Sequence, residues 1–266
     1  MVINDNTMRT FLFAVPVCLS TFVAWGATGT AEPYASRPSP KWKISDRKRT
    51  EPVAITPVVG GKPPSDAIVL FNGHDLFNWR AAGDKPADWK IGDGFFQTTP
   101  GIGDIHTVDA YGDCQLHVEW STPNPPHGKD QARGNSGIYV MSNYEIQVLD
   151  SYKAKTYPDG QAAAVYAQDP PLVNASLPPG AWQTYDIVFH GPRFDDAGKL
   201  TRPASVTVLH NGVLVQDNTV LTGPTTYMAR PPYKQHPEKM PLLLQDHDAP
   251  VRYRNLWIRE LKEPAQ

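Results

Sequence analysis

The chain has little with which to brace itself covalently. Its 266 residues include two cysteines, Cys18 and Cys114, so a disulfide framework is excluded. It has no surplus of positive charge either: 25 Lys and Arg stand against 27 Asp and Glu, a formal charge of -2. Nucleic-acid phosphates are held by Lys and Arg gathered in excess on one face, so no nucleic-acid partner is expected. After the amino-terminal segment no apolar run reaches the roughly 20 residues that a bilayer needs, and none carries a long helical stripe. Motifs of several chemistries are also missing. Gly134-Asn135-Ser136-Gly137 is one residue short of a nucleophile elbow, and Gly101-Ile102-Gly103 has no helix behind it to aim amides at a phosphate. No His-Glu-x-x-His or paired-cysteine spacing exists, so transition metals have no local support. No cofactor is expected, and only a structural calcium stays open.

What is present begins with an address. Residues 1–31 carry Arg9, an apolar run from Phe11 to Trp25 interrupted by Pro16 and Ser20, and then the small residues Gly29-Thr30-Ala31. That order is the order of a secretory signal, with cleavage expected near Ala31 and a bacterial periplasmic or secreted destination. No lipid attachment at Cys18 is expected, because Val15-Pro16-Val17 precedes it. Residues 32–65 hold seven prolines and the basic cluster Lys41, Lys43, Arg47, Lys48 and Arg49, the composition of a tether. One domain is expected over 66–264.

Within that domain short runs of strand character recur, among them Gln115–Trp120, Gly137–Met141, Tyr144–Leu149, Trp182–Phe189 and Ser205–His210. Asn211-Gly212 separates two of them, a hairpin signal because both turn positions need positive φ. Strands paired through tight turns over such a length imply an antiparallel β-sandwich or a closed barrel. In Gln115-Leu116-His117-Val118-Glu119-Trp120 polar and apolar residues alternate, which puts one face in the core and one in water. Three long polar segments, Ser121–Ser136, Asp169–Ala181 and Thr222–Pro241, are either rims of a cleft or tolerated surface insertions. Most of the tryptophans Trp79, Trp89, Trp120, Trp182 and Trp257 are expected in the core.

A carboxylate constellation carries the chemistry. In Glu145-Ile146-Gln147-Val148-Leu149-Asp150, alternation places Glu145 and Gln147 on one face and Ile146 and Val148 in the core. Asp150 is out of phase by one, and a single β-bulge near Leu149 would return it to the polar face. Two carboxylates flanking an amide would then line a groove suited to acid–base or nucleophilic work on a glycosidic bond. The alternative is that Glu145 and Gln147 face solvent and Asp150 starts a turn. Arg133, beside Gly134, Asn135 and Ser136, is either a donor fork for sugar hydroxyls and an oxyanion or half of an ion pair. Asp104 with His106, and Gln245, Asp246 and His247, set polar groups at strand ends, as ligands, bases or turn-formers.

Several ordered segments carry a family resemblance: Ile68-Val69-Leu70-Phe71-Asn72-Gly73 with Trp79, Gly103-Asp104-Ile105, Glu119-Trp120, Arg133-Gly134-Asn135-Ser136-Gly137, Tyr144 to Ser151, Trp182 to Asp186, and Leu244-Gln245-Asp246-His247. Over about Ile68 to Leu261 the chain resembles the 3-keto-disaccharide hydrolase domain family. The resemblance implies an all-β fold, a concanavalin A-like jelly-roll β-sandwich of two antiparallel sheets, and a role in carbohydrate breakdown with a carbohydrate as partner. Laminarinase-type glycosidases of that fold space their acids Glu-x-Asp-x-x-Glu, whereas this chain has Glu-x-Gln-x-x-Asp. The implied ketone at sugar carbon 3 acidifies the hydrogen on carbon 2, so proton abstraction, expulsion of the glycosidic oxygen and later hydration become feasible. On that reading Glu145, Asp150 and His247 are the catalytic candidates, with Asp104, Arg133, Asn135, Gln147, Gln245 and Asp246 binding substrate. A lectin-like binding module and a conventional hydrolase of unoxidised glycosides are the competing classes. The sequence does not encode the oligomeric state.

Overall fold

The computed structural model describes residues 51–261, with Ser45 and Arg47 ahead of them. The expected export signal and most of the basic cluster lie outside the described residues.

Asn211 and Gly212 both adopt left-handed backbone, at φ of 52° and 77°, and His210 pairs with Val213 across them. The hairpin expected from the dipeptide therefore forms, with the primed turn whose twist matches its strands. It starts the edge of the larger of two main sheets. From that edge the strands run Val213–Val220, Ser205–His210, Gln183–His190, Cys114–Ser121, Arg252–Glu260, Phe96–Gln97 and Lys90–Ile91, with Ile68–Val69 also pairing to the Arg252–Glu260 strand. The second sheet runs Lys85–Pro86, Trp79–Ala81, Ile105–Tyr111, Met240–Leu244, Ser136–Val140 and Tyr144–Val148. Every pairing within these two sheets is antiparallel. Helical structure among the described residues is confined to the 3-10 turns Asp130–Ala132 and Pro158–Gly160. The fold is the expected all-β jelly-roll sandwich.

Alternation decides what lies between the sheets. Along Cys114–Ser121 the residues Cys114, Leu116, Val118 and Trp120 are buried while Gln115, His117 and Glu119 are half-buried on the other face. From the facing sheet Ile138, Val140, Ile146, Val148 and Leu244 enter the same core. Trp79, Trp89, Trp120 and Trp257 are buried, and Trp182 is half-buried beneath the guanidinium of Arg254, 4.1 Å from its ring centre. Two tyrosines of the larger sheet cross the core and end on the smaller one. Tyr185 donates its hydroxyl to the Gln147 carbonyl at 2.8 Å, and Tyr253 donates to Ser136 Oγ at 2.7 Å. A buried phenol needs such a partner, because an unpaired one costs about 1–3 kcal/mol. These two bonds pin from behind the Tyr144–Val148 strand, which carries Glu145 and Gln147 on its outer face, and the Ser136–Val140 strand paired to it.

The Tyr144–Val148 strand is the last in its sheet, yet its free edge is not exposed. The irregular segment that follows doubles back along it: Ala163 N–H donates to the Gln147 carbonyl at 2.9 Å, Gln147 N–H to the Ala164 carbonyl at 3.0 Å, and Tyr166 N–H to the Glu145 carbonyl at 3.3 Å. Covered edges avoid pairing with other chains. Here the cover also roofs the outer face.

Candidate active site

The outer face of the smaller sheet carries a polar hollow of about 630 Å³. Its floor is Tyr139 and, on the neighbouring strand, Glu145 and Gln147. Glu145 and Gln147 share this face because they are two apart on a strand; Gly137 and Tyr139 do so on the partner strand, where they pair with Gln147 and Glu145 respectively. The walls are Asp130, Gln131 and Asn135 from the loop before Ser136, Tyr157 and Tyr166 from the covering segment, and Thr225 to Tyr227 from the loop after Val220. Gln245 and His247, at and beyond the end of the Met240–Leu244 strand, close the remaining side.

Gly137 makes room for this arrangement. A Cβ there would lie 2.6 Å from Glu145 Oε1 and 2.8 Å from Tyr139 Cε2, so the carboxylate occupies the space that any larger residue would fill. Glu145 is 3% exposed. Burial pushes its pKa up to about 8, the negative charge of Asp104 adds to the rise, and a hydrogen bond from the Tyr139 phenol opposes it. A carboxyl so placed exchanges its proton near neutral pH. Its backbone is fixed by Thr225 Oγ1, which accepts the Glu145 N–H at 3.0 Å.

The donors around it are held in a chain. Gln147 Nε2 donates to Gln131 Oε1 at 3.0 Å, Gln131 Nε2 donates to Thr156 Oγ1 at 2.7 Å, and Asn135 Nδ2 donates to the Gln131 carbonyl at 2.7 Å. Gln245 Nε2 donates to the Tyr139 hydroxyl at 3.3 Å. Asn135 Oδ1 is buried and accepts no hydrogen bond. A buried acceptor left open at a hollow is what a ligand hydroxyl would satisfy.

Four of the expected site residues lie elsewhere. The pairing of the Ser136–Val140 and Tyr144–Val148 strands runs without a register shift, so the expected bulge is absent. The chain instead leaves the sheet after Val148, and a tight turn closed by Ser151 N–H on the Leu149 carbonyl at 2.9 Å carries Asp150 away. Asp150 is buried and accepts Arg133 Nε at 2.7 Å; Arg133 also donates to the Tyr152 carbonyl at 3.4 Å. Arg133 and Asp150 are thus partners of one another, the ion-pair alternative, and neither lines the hollow. Asp104 and Asp246 join two turns at the rim: Asp246 N–H donates to Asp104 Oδ1 at 2.8 Å and Gly103 N–H to Asp246 Oδ2 at 3.0 Å. Burial and then the charge of Asp246 raise the Asp104 pKa, against the Asp246 amide and His247. This clasp positions His247 without itself lining the hollow. Glu145, His247, Asn135, Gln147 and Gln245 do line it.

Two of the three long loops contribute to the walls; Asp169–Ala181 does not, and the Tyr157–Tyr166 segment takes its place. Tyr139 was legible as the residue two past Gly137 on a strand. Gln131, Tyr157 and Tyr166 had no periodic signal, since they stand on irregular backbone. Among the described residues no group of three or more His, Cys, Asp or Glu side chains is placed to hold a metal ion, and no helix is long and apolar enough to cross a membrane.

Comparison with known proteins agrees with the fold. Residues 66–259 match the model of the 3-keto-alpha-glucoside-1,2-lyase-like domain. A solved Parabacteroides distasonis protein described as a candidate glycosyl hydrolase is 41% identical, with a TM-score of 0.78 over 82% of this chain and 95% of its own. Two further structures from Parabacteroides distasonis with the same description, each 21% identical, share the fold at TM-scores of 0.53 and 0.52. They cover 74% and 73% of this chain and 94% and 99% of their own. No curated protein matches the chain.

Proposed function

We propose, from the premise that this chain belongs to the 3-keto-alpha-glucoside-1,2-lyase-like domain family, that it cleaves 3-keto-glycosides by elimination followed by hydration. Glu145 is the base. Its carboxylate removes the hydrogen on sugar carbon 2, whose acidity comes from the neighbouring ketone. The electron pair moves into the enolate and then expels the glycosidic oxygen from carbon 1, leaving a double bond between carbons 1 and 2. Water adds across that bond to give the free 3-keto sugar. Gln147, Gln245 and His247 hold the ketone and enolate oxygen, and the open Asn135 acceptor receives a ring hydroxyl. Asp150 and Arg133 act as a positioning pair behind the loop that carries Asn135.

The single observation that carries this reading is the environment of Glu145: a carboxyl nearly free of solvent, with a pKa of about 8, at the floor of a polar hollow. General bases work best with a pKa near the operating pH. A retaining hydrolase instead needs a second carboxylate roughly 5 Å from the first. The neighbours of Glu145 on its face are an amide and a phenol, Asp150 is bound to Arg133, and the Asp130 carboxylate in the wall accepts the Thr156 hydroxyl. That favours the ketone route over hydrolysis of unoxidised glycosides. Export of the protein to the periplasm or beyond, as its amino-terminal sequence suggests, would place the reaction outside the cytoplasm.

The test is turnover of 3-keto-glucosides and their unoxidised parents side by side, with deuterium on carbon 2. Cleavage restricted to the ketones, slowed by the deuterium and lost in Glu145→Gln, is the expected result. Equal cleavage of the unoxidised parents, or full activity in Glu145→Gln, would overturn the proposal.

A further inference from the structure

A second hollow of about 380 Å³ lies next to the first, and its chemistry differs. Tyr157 and Tyr166 line both, and their hydroxyls meet at 2.7 Å, so a pair of phenols forms the boundary between the two spaces. Beyond them the surface is Ala167, Met228 and Ala229, with Asp159 and Arg230 at the margin. Arg230 is turned toward the protein: Nε donates to the Ala167 carbonyl at 2.8 Å, Nη2 to the Gln168 carbonyl at 3.3 Å, and Asp159 lies 3.8 Å away. With Arg230 and Asp159 facing one another, the rest of the lining is rings, methyl groups and a thioether. Met228 is 82% exposed, although an apolar side chain of that size gains from being covered.

We propose that this second hollow holds the leaving group of the substrate, and that the substrates it fits are glycosides of flat phenolic compounds. The proposal rests on the reading of the polar hollow given above, and two observations carry it further. A second sugar presents hydroxyls on every side and would find few partners here, whereas a flat ring gains by stacking on tyrosine and by contact with a methionine sulfur. The hydroxyls on the boundary are phenols whose pKa burial raises, weaker proton donors to a departing alkoxide than a carboxylic acid, and the Asp159 carboxylate beyond them faces Arg230. In the elimination the electron pair of the bond between carbon 1 and oxygen leaves with that oxygen. A phenol, with a pKa of about 10, carries the charge until water protonates it; a sugar alkoxide needs a proton as it departs.

The fluorescent phenol 4-methylumbelliferone serves as the probe. Its binding to the full chain, and the kcat/KM for its 3-keto-glucoside relative to that for a 3-keto-disaccharide, are measured in the wild type and in Met228→Asp. This change adds a charge on an exposed side chain, and circular dichroism checks that the fold is kept. We expect the free phenol to bind the wild type, and both its affinity and the aryl-to-disaccharide ratio to fall at least tenfold in the variant. No binding to the wild type, or equal binding to both proteins, overturns the leaving-group hollow even if every 3-keto-glycoside is cleaved. Binding as expected with no cleavage of either keto substrate places the failure in the reading of the polar hollow, and the leaving-group role falls with it.

Discussion

Glu145 is an acid whose surroundings oppose its charge, and two predictions follow from that. Its proposed use as a base requires the ionised form, so kcat/KM should rise with pH and level off above about 8, measurable as a single rising limb. Glu145→Gln should lower turnover by roughly 10²–10⁴-fold, the usual worth of a positioned base. The same residue carries a stability consequence of definite sign. A carboxyl with its folded pKa raised above the ordinary 4.5 keeps its proton longer when folded, so folding loses stability as pH climbs from about 4.5 to 8. Glu145→Gln should therefore melt higher than the wild type at pH 9 and lose that advantage near pH 4, which a pH series of thermal melts would record. Gly137→Ala probes the same group sterically. The new methyl would press on the carboxylate at 2.6 Å, and a displacement of about 1 Å at a reacting group costs on the order of 10²-fold in rate.

At the level of strands and loops, the behaviour of Arg133 and Asp150 separates structure from chemistry. Asp150 is 4% exposed and its charge is met by Arg133. Arg133→Met would strand a buried carboxylate, and we expect a loss of roughly 3 kcal/mol in denaturant melts, with activity falling through the displaced Asn135 loop. Tyr185→Phe removes the tyrosine bond that crosses the core to the Gln147 carbonyl; a cost of about 1 kcal/mol is expected, with the fold retained. Strand character, the hairpin at Asn211-Gly212 and the shared face of Glu145 and Gln147 were legible because periodicity of two fixes them locally. The fate of Asp150 was not. A phase break in a strand is resolved either by a bulge or by leaving the sheet, and the choice depends on a distant partner, here Arg133 in a loop. Gln131, Tyr157 and Tyr166 escaped for a related reason: Tyr166 is placed by its backbone bond to Glu145, and Gln131 and Tyr157 by side-chain bonds to distant residues, none of which a local pattern records.

For the molecule as a whole, ionisation on the side of the sandwich away from the hollow matters as well. His117 contacts Asp186 at 2.7 Å and Glu119 at 3.7 Å. Its burial favours the neutral ring, but the hydrogen bond to Asp186 and the charges of Asp186 and Glu119 prevail and lift its pKa to about 9. Its contribution to stability is complete below the ordinary value of 6.5 and is lost as pH rises to about 9. His117→Asn should remove that slope, of order 2 kcal/mol after allowing for partial solvent screening, and leave the Glu145 slope in place. Glu119 responds at the other end of the scale. His117 first, then Asn255 and Arg254, hold it down at about 2, so its stabilisation is present above 4.5 and lost as pH falls toward 2.

The segment that runs back along the Tyr144–Val148 strand is attached to it through main-chain bonds at Glu145 and Gln147, which are indifferent to the side chains the segment displays. Its side chains can therefore be exchanged without breaking the pairing that holds it to the strand. On the proposed reading, a lineage built on this scaffold acquires new tastes in the departing half of its substrates by changing this ribbon and the loop that carries Met228, and grafting the two together between relatives should transfer the preference with them.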